Sequence, residues 1–144
     1  MDSLEIQPLQ KPLDAAVQVP GSKSYTNRAL LVAALAQGES VLSGALFSDD
    51  TDYMAQSLRK LGIEVGEDRA AARCVGVGNG GEIPVAKAEL YIGNSGTTSR
   101  SIISCVALGN GLFTIDGDEP MRQSRPIEDL LGALQRLGVD ARSR

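Results

Sequence analysis

The chain repeats part of its own sequence, and this internal repeat limits the folds that it can adopt. Residues 22–35 resemble residues 94–107, and residues 58–65 resemble residues 134–141, in the same order along the chain. The first pair of segments is offset by 72 residues and the second pair by 76 residues. A period of this length is too long for a solenoid repeat, and it favours two copies of one supersecondary unit.

Hydrophobic periodicity predicts the same order of elements in both copies. The first copy is expected to form a strand, a helix, a strand, a helix and two further strands, at residues 16–19, 24–36, 40–46, 49–61, 63–65 and 73–77. The second copy is expected to form a strand, a helix, a strand, a helix and one last strand, at residues 89–92, 96–108, 112–115, 126–137 and from 139 onward. The predicted fold class is therefore α/β, built from one complete βαβαββ unit and one truncated unit.

This pattern divides the chain into three segments. Residues 1–19 are expected to supply N-terminal strands, of which residues 4–8 belong to another domain. Residues 20–88 form the first unit, and residues 89–144 form a second unit that is cut short before its last strand. Because sheet edges are usually covered or blunted, a chain that ends inside a unit is interpreted as the front part of a larger protein.

Composition excludes several classes of function. The 144 residues carry a net charge of −4 with only 3% aromatic residues, which argues against nucleic acid as a partner. No apolar run has the length of a membrane span and no signal peptide is visible, so a cytoplasmic, membrane-free protein is expected. The chain has no histidine and no paired cysteine motif. We therefore expect no metal site, and we expect Cys74 and Cys105 to be buried as small hydrophobic residues.

Each copy places small polar residues and an arginine at the start of a helix, in residues 20–28 and 93–100. A helix N-terminus offers unpaired N–H groups and a partial positive charge, so it suits phosphate or carboxylate. Lys23, Ser24 and Arg28 can share one such ligand, because Arg28 lies one turn after Ser24. Asn27 and Arg28 interrupt an otherwise apolar helix, which suggests a polar partner for them.

Taken alone, the second helix start is a less specific indication of a ligand site. Residues 93–98 present glycine, Asn94 and hydroxyl groups, with Arg100 behind them, but they match neither the Walker loop nor the dinucleotide fingerprint. A third basic segment, residues 121–126, precedes another helix, and a local ion pair is expected there between Glu119 and Arg122. A cluster of aspartates is interpreted as helix capping rather than as a metal site, at Asp49, Asp50 and Asp52.

Taken together, residues 20–24 with Asn27 and Arg28, residues 93–97 with Arg100, and the pair Arg125-Pro126 resemble the 5-enolpyruvylshikimate-3-phosphate synthase family. The resemblance covers nearly the whole chain but only about the first third of that enzyme. It implies the inside-out α/β barrel of the enolpyruvyl transferases. It also implies that the enolpyruvyl group of phosphoenolpyruvate moves to the 5-hydroxyl of shikimate 3-phosphate by addition and elimination, without metal or organic cofactor.

The resemblance also implies roles for individual residues. Lys23 would be catalytic and would contact both substrates, and Ser24 and Arg28 would bind shikimate 3-phosphate. The phosphoenolpyruvate side would be formed by four residues in addition to Lys23: Asn94, Gly96, Thr97 and Arg125. Many herbicide-sensitive members of the family have proline where this chain has Ser101, and changes there are associated with tolerance to glyphosate.

The family's proton-transferring carboxylates lie beyond residue 144. The isolated chain is therefore expected to be inactive, with a complementary C-terminal fragment as its partner. Two alternatives remain open on the sequence: a non-catalytic module that binds shikimate 3-phosphate or assembles with a partner, and a fragment of the UDP-N-acetylglucosamine enolpyruvyl transferase. The second fits less well because that enzyme has Lys-Asn where this chain has Lys23-Ser24.

Overall fold

A computed structural model describes residues 3–124 and 126–143. Helices and strands alternate along most of this length. In chain order they are α1 (Lys23–Leu35), β1 (Gln37–Ser43), α2 (Asp49–Lys60), β2 (Glu64–Asp68), β3 (Arg73–Asn79), β4 (Lys87–Tyr91), α3 (Gly96–Val106), β5 (Leu112–Asp116), α4 (Glu119–Ser124) and α5 (Glu128–Arg136).

The described strands form two separate sheets. In the first sheet, β3 lies in the centre and pairs antiparallel with β1 on one side and with β2 on the other. In the second sheet, β4 and β5 run parallel and are connected through α3. Parallel neighbours need such a crossover, so this βαβ arrangement follows from the alternation of elements that the sequence predicts.

The main hydrophobic core lies between these sheets and the helices α1, α2 and α3. Its largest side chains are all exposed by 2% or less: Leu30, Met54, Leu58, Leu61, Ile63, Leu90 and Ile102. Burying a side chain of this size stabilises the fold by roughly 1.5–3 kcal/mol. The spacing of the apolar residues 54, 58 and 61 in the sequence predicts that α2 packs through them, and their burial confirms it, because successive turns of the helix present them to one side.

A smaller core joins α3 to α5. Ile102 of α3 faces the main core, whereas its neighbour Ile103 packs with Leu131 and Leu134 of α5. The spacing of Leu130, Leu134 and Leu137 in the sequence predicts that this helix packs through all three, and for Leu137 this is wrong, since its side chain is 80% exposed. The helix ends at Arg136, one residue earlier. Because α3 contributes to both cores, its position determines how α5 packs beside the main core.

Three predicted strands are absent from the described residues. Residues 3–22 contain neither the strand predicted at 4–8 nor the one at 16–19, and residues 139–143 contain no strand. A strand is stable only when its N–H and C=O groups pair with a neighbour, and alternating apolar residues do not by themselves provide that neighbour. The division into residues 1–19, 20–88 and 89–144 remains a prediction.

Other elements differ in their ends. The strand predicted at residues 40–46 runs instead over Gln37–Ser43, and the last helix begins at Glu128 rather than at Pro126. The short helix α4 was not predicted. Its signal is visible in the sequence, because Asp118 precedes it and Pro120 lies in its first turn, where proline is tolerated.

Both cysteines are free and buried, as predicted. Burial raises the pKa of the Cys74 thiol and of the Cys105 thiol, so neither is prepared to act as a nucleophile. Among the helices within the described ranges, none has the length and hydropathy needed to cross a membrane.

Candidate functional site

The first predicted site lies at the N-terminus of α1. Ser22 caps this helix, because its hydroxyl accepts a hydrogen bond from the N–H of Tyr25 at 3.4 Å. The Thr26 hydroxyl donates to the carbonyl of Ser22 at 2.9 Å and accepts from the N–H of Leu46 at 3.0 Å. The helix start is therefore fixed both locally and to the segment that follows β1.

Lys23 is the first residue of α1, and its ammonium lies 2.8 Å from Oδ2 of Asp50 in α2. Asp50 was expected only to cap its helix, so this contact between two helix starts was missed. Ser24 is half-buried beside Lys23. The cation at the start of α1 is thus oriented by a carboxylate at the start of α2.

Arg28 and Asn27 interrupt an otherwise apolar helix, which predicts that both face the core, but the structure places them in different surroundings. Arg28 is exposed, and it forms no hydrogen bond or ion pair with any residue that the structure describes. Asn27 is fully buried and donates from Nδ2 to the hydroxyl of Thr98 in α3 at 3.3 Å. The guanidinium of Arg28 is therefore available to a ligand in solvent, and Asn27 links the two predicted sites.

The second predicted site lies at the N-terminus of α3. Gly93 adopts a φ of +53° directly beside the ring of Tyr53, where a side chain at this position would collide with the ring. Ser95 caps the helix by accepting from the N–H of Thr98 at 3.3 Å. Asn94 is exposed, while Gly96 and Thr97 are half-buried. This geometry matches a cap and a sharp turn, and it leaves polar groups at the helix start accessible.

The first turns of the three helices differ in charge. Neither α1 nor α3 carries an acidic residue in its first turn, whereas α2 carries Asp49, Asp50 and Asp52. The N-terminal partial positive charge is therefore offset by carboxylates in α2 and is not offset in this way in α1 or α3. The aspartates were expected to cap α2, but the cap is formed by Ser48 with Thr51, whereas Asp50 pairs with Lys23 and Asp52 pairs with Arg69. No cluster of metal-binding side chains occurs within residues 3–124 and 126–143.

Arg100 and Arg122, which lie near the second and third predicted basic segments, both have structural contacts. Arg100 is exposed and donates to the carbonyl of Gly96 and to that of Pro126, each at 3.2 Å.

The expected pair between Glu119 and Arg122 is wrong, because Arg122 instead binds both carboxylate oxygens of Asp116 at 2.8 and 2.7 Å. Two parallel hydrogen bonds make this a strong pairing, and the Glu119 carboxylate accepts from the amide of Gln123 instead. The predicted ligand residue Arg125 lies outside the described residues.

A pocket of about 180 Å³ lies between the starts of α2 and α3. It is lined by Asp49, Asp50, Tyr53, Asn94, Ser95 and Asp118. Of the predicted site residues, Asn94 lines this pocket directly. Lys23 is connected to it because its ammonium pairs with the lining residue Asp50. Tyr53 and Asp118 were missed, because their distance in sequence from both predicted sites gives no signal of proximity.

Tyr91 supports one wall of this pocket. Its ring packs edge-on against Tyr53 with 5.8 Å between the ring centroids, and its hydroxyl donates to Asp118. The hydrogen bond to that carboxylate, helped by burial, raises the pKa of Tyr91 above its ordinary value. The phenol therefore remains protonated and keeps Asp118 beside the turn at Gly93, whose carbonyl accepts from the N–H of Asp118 at 3.0 Å.

Comparison with known proteins places this arrangement in a family. Residues 8–144 match the family model described as EPSP synthase (3-phosphoshikimate 1-carboxyvinyltransferase). The chain belongs to the EPSP synthase family. The family resemblance drawn from residues 20–28, 93–100 and 125–126 is thereby confirmed.

Relatives in this family are similar over almost the whole chain. A 3-phosphoshikimate 1-carboxyvinyltransferase of Nostoc punctiforme is 52% identical over 139 residues, which are 96% of this chain and 32% of that protein. One from Rhizobium etli is 48% identical over 137 residues, which are 95% of this chain and 32% of that protein. The chain therefore spans about a third of the length of these curated relatives.

The fold agrees with a solved member of the family. The structure of EPSP synthase from Acinetobacter baumannii superposes with a TM-score of 0.71 at 26% identity, covering 86% of this chain and 28% of that one. The predicted α/β fold of the enolpyruvyl transferase type is confirmed by this similarity.

Proposed function

We propose that this chain supplies one wall of the site of an EPSP synthase, which moves the enolpyruvyl group of phosphoenolpyruvate to the 5-hydroxyl of shikimate 3-phosphate and releases phosphate. The observation that carries this proposal is the pair of linked helix starts. Those of α1 and α3 have no first-turn carboxylate, carry exposed cationic or polar groups, and are joined through Asn27 and Thr98. Two such starts suit two anionic substrates held side by side.

Each helix start is assigned to one substrate. Lys23, Ser24 and Arg28 at α1 bind shikimate 3-phosphate, and the exposed guanidinium of Arg28 suits a phosphate group. The phosphoenolpyruvate side is formed by Asn94, Gly96, Thr97 and Arg125. Lys23 serves both substrates and is the catalytic residue of this chain, because its ammonium can leave Asp50 and offset charge on the reacting groups.

The chemistry in this wall is positioning and electrostatic stabilisation. The reaction proceeds by addition and elimination through a tetrahedral intermediate, in the cytoplasm and without a cofactor. We assign the proton-transferring groups to a complementary C-terminal part of the enzyme, which is the partner of this chain. The two parts close around the substrates, so this chain alone has negligible activity.

Fragment complementation tests the proposal. The chain is mixed with the remaining two-thirds of a homologous EPSP synthase, and phosphate release is followed with both substrates present. We expect turnover only in the mixture. Lys23→Gln in this chain should abolish most of the turnover. Lys87→Gln changes an exposed lysine at the first position of β4 and should leave the turnover unchanged. Turnover by the chain alone contradicts the need for a partner, and a mixture that binds both substrates without turnover indicates a binding module.

We also propose reduced sensitivity to glyphosate, on account of Ser101. This residue lies within α3, and in an α-helix the N–H of residue 101 donates to the carbonyl of Thr97. Proline cannot donate this bond and its ring displaces the preceding turn, so serine and proline give Thr97 different surroundings. Inhibition by glyphosate is compared in the complemented enzyme before and after Ser101→Pro. We expect stronger inhibition after the change, and equal inhibition contradicts the proposal.

A further inference from the structure

One buried hydroxyl joins the N-terminal parts of three helices. Thr98 of α3 is fully buried, and its hydroxyl donates to the carbonyl of Asp50 in α2 at 3.0 Å. The same oxygen accepts from Nδ2 of Asn27 in α1 at 3.3 Å and from the hydroxyl of Ser95 at 2.7 Å. A threonine hydroxyl has one donor and two acceptor positions, so its hydrogen-bonding capacity is fully used.

The partners of this hydroxyl lie close to the proposed ligand groups. Asn27 follows Lys23 by one turn on the same face of α1, and Asp50 holds the ammonium of Lys23 through its carboxylate. Thr98 itself directly follows Gly96 and Thr97. The distance between the two proposed anion sites is therefore determined by contacts that meet at Thr98.

We propose that Thr98 is a positioning residue that holds the two substrate sites at the separation needed for reaction. This inference rests on the proposed function, since it requires that the starts of α1 and α3 bind the two reactants. Thr98 does not touch either ligand. It acts because a buried network that is fully hydrogen-bonded has one preferred geometry, and a small misplacement of bound reactants lowers the rate strongly.

The buried amide of Asn27 makes the link between the two helix starts more dependent on the Thr98 hydroxyl. Its Oδ1 is buried and has no hydrogen-bond partner among the residues that the structure describes, so the bond from Nδ2 to Thr98 is its side-chain link to α3. Removing the Thr98 hydroxyl leaves the amide of Asn27 without that partner, in a place where water does not reach it. The start of α1 then loses its polar connection to the start of α3.

The test compares three variants in the complemented enzyme. Thr98→Val keeps the shape and removes the hydroxyl, and Thr98→Ser keeps the hydroxyl. Thr51→Val is the matched control, because the buried hydroxyl of Thr51 bonds only to the backbone of Ser48 within the cap of α2. Saturating substrates restore a population lost to unfolding, so kcat measured at saturation separates positioning from stability.

We expect kcat to fall at least tenfold in Thr98→Val, to stay within threefold in Thr98→Ser, and to stay within twofold in Thr51→Val although both valine variants melt earlier. Equal kcat values for the two valine variants overturn the inference, as does a loss in Thr98→Ser as large as in Thr98→Val. If Thr98→Val does not fold, Asn27→Ala cuts the link from the other side. A tenfold fall in its kcat supports the inference, and an unchanged kcat overturns it.

A second measurement separates this inference from the proposed function. If the unsubstituted complemented enzyme shows no turnover, the proposed function fails whatever Thr98 does. Amide hydrogen exchange of the 144-residue chain then compares Thr98→Ser with Thr98→Val, or with Asn27→Ala if the valine variant does not fold. Faster exchange in the first turns of both α1 and α3, in either disruptive variant, supports the hydrogen-bonded link at Thr98. Faster exchange confined to the helix that carries the substitution overturns it.

Discussion

The ammonium of Lys23 lies 2.8 Å from Oδ2 of Asp50, which joins a cation at the start of α1 to a carboxylate at the start of α2. The side chains remain 46% and 23% exposed, respectively. A pair this accessible to water contributes at most about 1 kcal/mol to folding. Under the proposed function, its main consequence is that the ammonium is held close to the ligand site, where an anion can displace the carboxylate at little cost.

The weakness of this ion pair predicts the effect of removing the charge of Lys23. Lys23→Gln should weaken binding of inorganic phosphate to the chain about tenfold, because a charge-assisted hydrogen bond is lost, while stability changes by less than about 1 kcal/mol. Phosphate titration followed by amide chemical shifts gives the affinity, and urea unfolding gives the stability. Lys87→Gln, at an exposed strand position, serves as the control. Equal phosphate affinity in the two variants contradicts a ligand role for Lys23.

The contact between Arg122 and Asp116 makes stability depend on pH. The hydrogen bonds from Arg122, followed by the one from the N–H of Gly117, lower the pKa of Asp116 in the folded chain. A carboxyl whose pKa is lowered by folding stabilises the fold above its unfolded pKa, about 3.9, and this contribution disappears as the pH falls through the folded value.

We therefore expect Arg122→Gln to be less stable than the unsubstituted chain near neutral pH, with the difference shrinking as the pH falls below about 3.9. The carboxyl carbon resonance of Asp116 should also titrate at a higher pH in the variant. Arg136→Gln changes an exposed arginine in α5 and should leave that resonance unaffected. A pH-independent difference in stability would show that Arg122 acts by packing alone.

Tyr91 offers a direct test of the pocket wall. Its hydroxyl donates to Asp118, and this bond is the main cause of its raised pKa. Asp118→Asn removes the negative charge of the acceptor, so the pKa of Tyr91 should move down toward its ordinary value. The ring carbon resonance of Tyr91 reports the titration directly, and Asp129→Asn in α5 is the control. An unchanged Tyr91 titration in Asp118→Asn would show that the two groups do not meet in solution.

Two glycines are expected to respond to alanine in opposite directions. At Gly93, φ is +53° and an added methyl meets the ring of Tyr53, so Gly93→Ala should destabilise the fold by about 2 kcal/mol or more. Gly132 lies within α5 and an added methyl there meets nothing within 4 Å. Gly132→Ala should stabilise by roughly 0.5–1 kcal/mol, because alanine loses less backbone entropy in a helix. Urea unfolding measures both, and similar effects at the two sites contradict the turn geometry.

Local signals in the sequence were sufficient for most helices. The spacing of Met54, Leu58 and Leu61 predicted the buried face of α2, and serine followed by small polar residues predicted the start of α1 and of α3. These features depend on residues within one or two turns, whose geometry is nearly the same in every helix. The same reasoning failed at residues 16–19, because alternation describes a strand's faces and not the neighbour with which it pairs.

The sequence by itself determined the internal repeat, the positions of the two helix starts rich in small polar residues, and the family through the residues at those starts. Only the tertiary structure decided that Lys23 meets Asp50, that Tyr53 and Asp118 complete a pocket, and that Asn27 and Thr98, 71 residues apart, share a hydrogen bond. Caps and turns follow from neighbours along the chain, whereas these contacts exist only after the helices have packed on their sheets and brought separate first turns together.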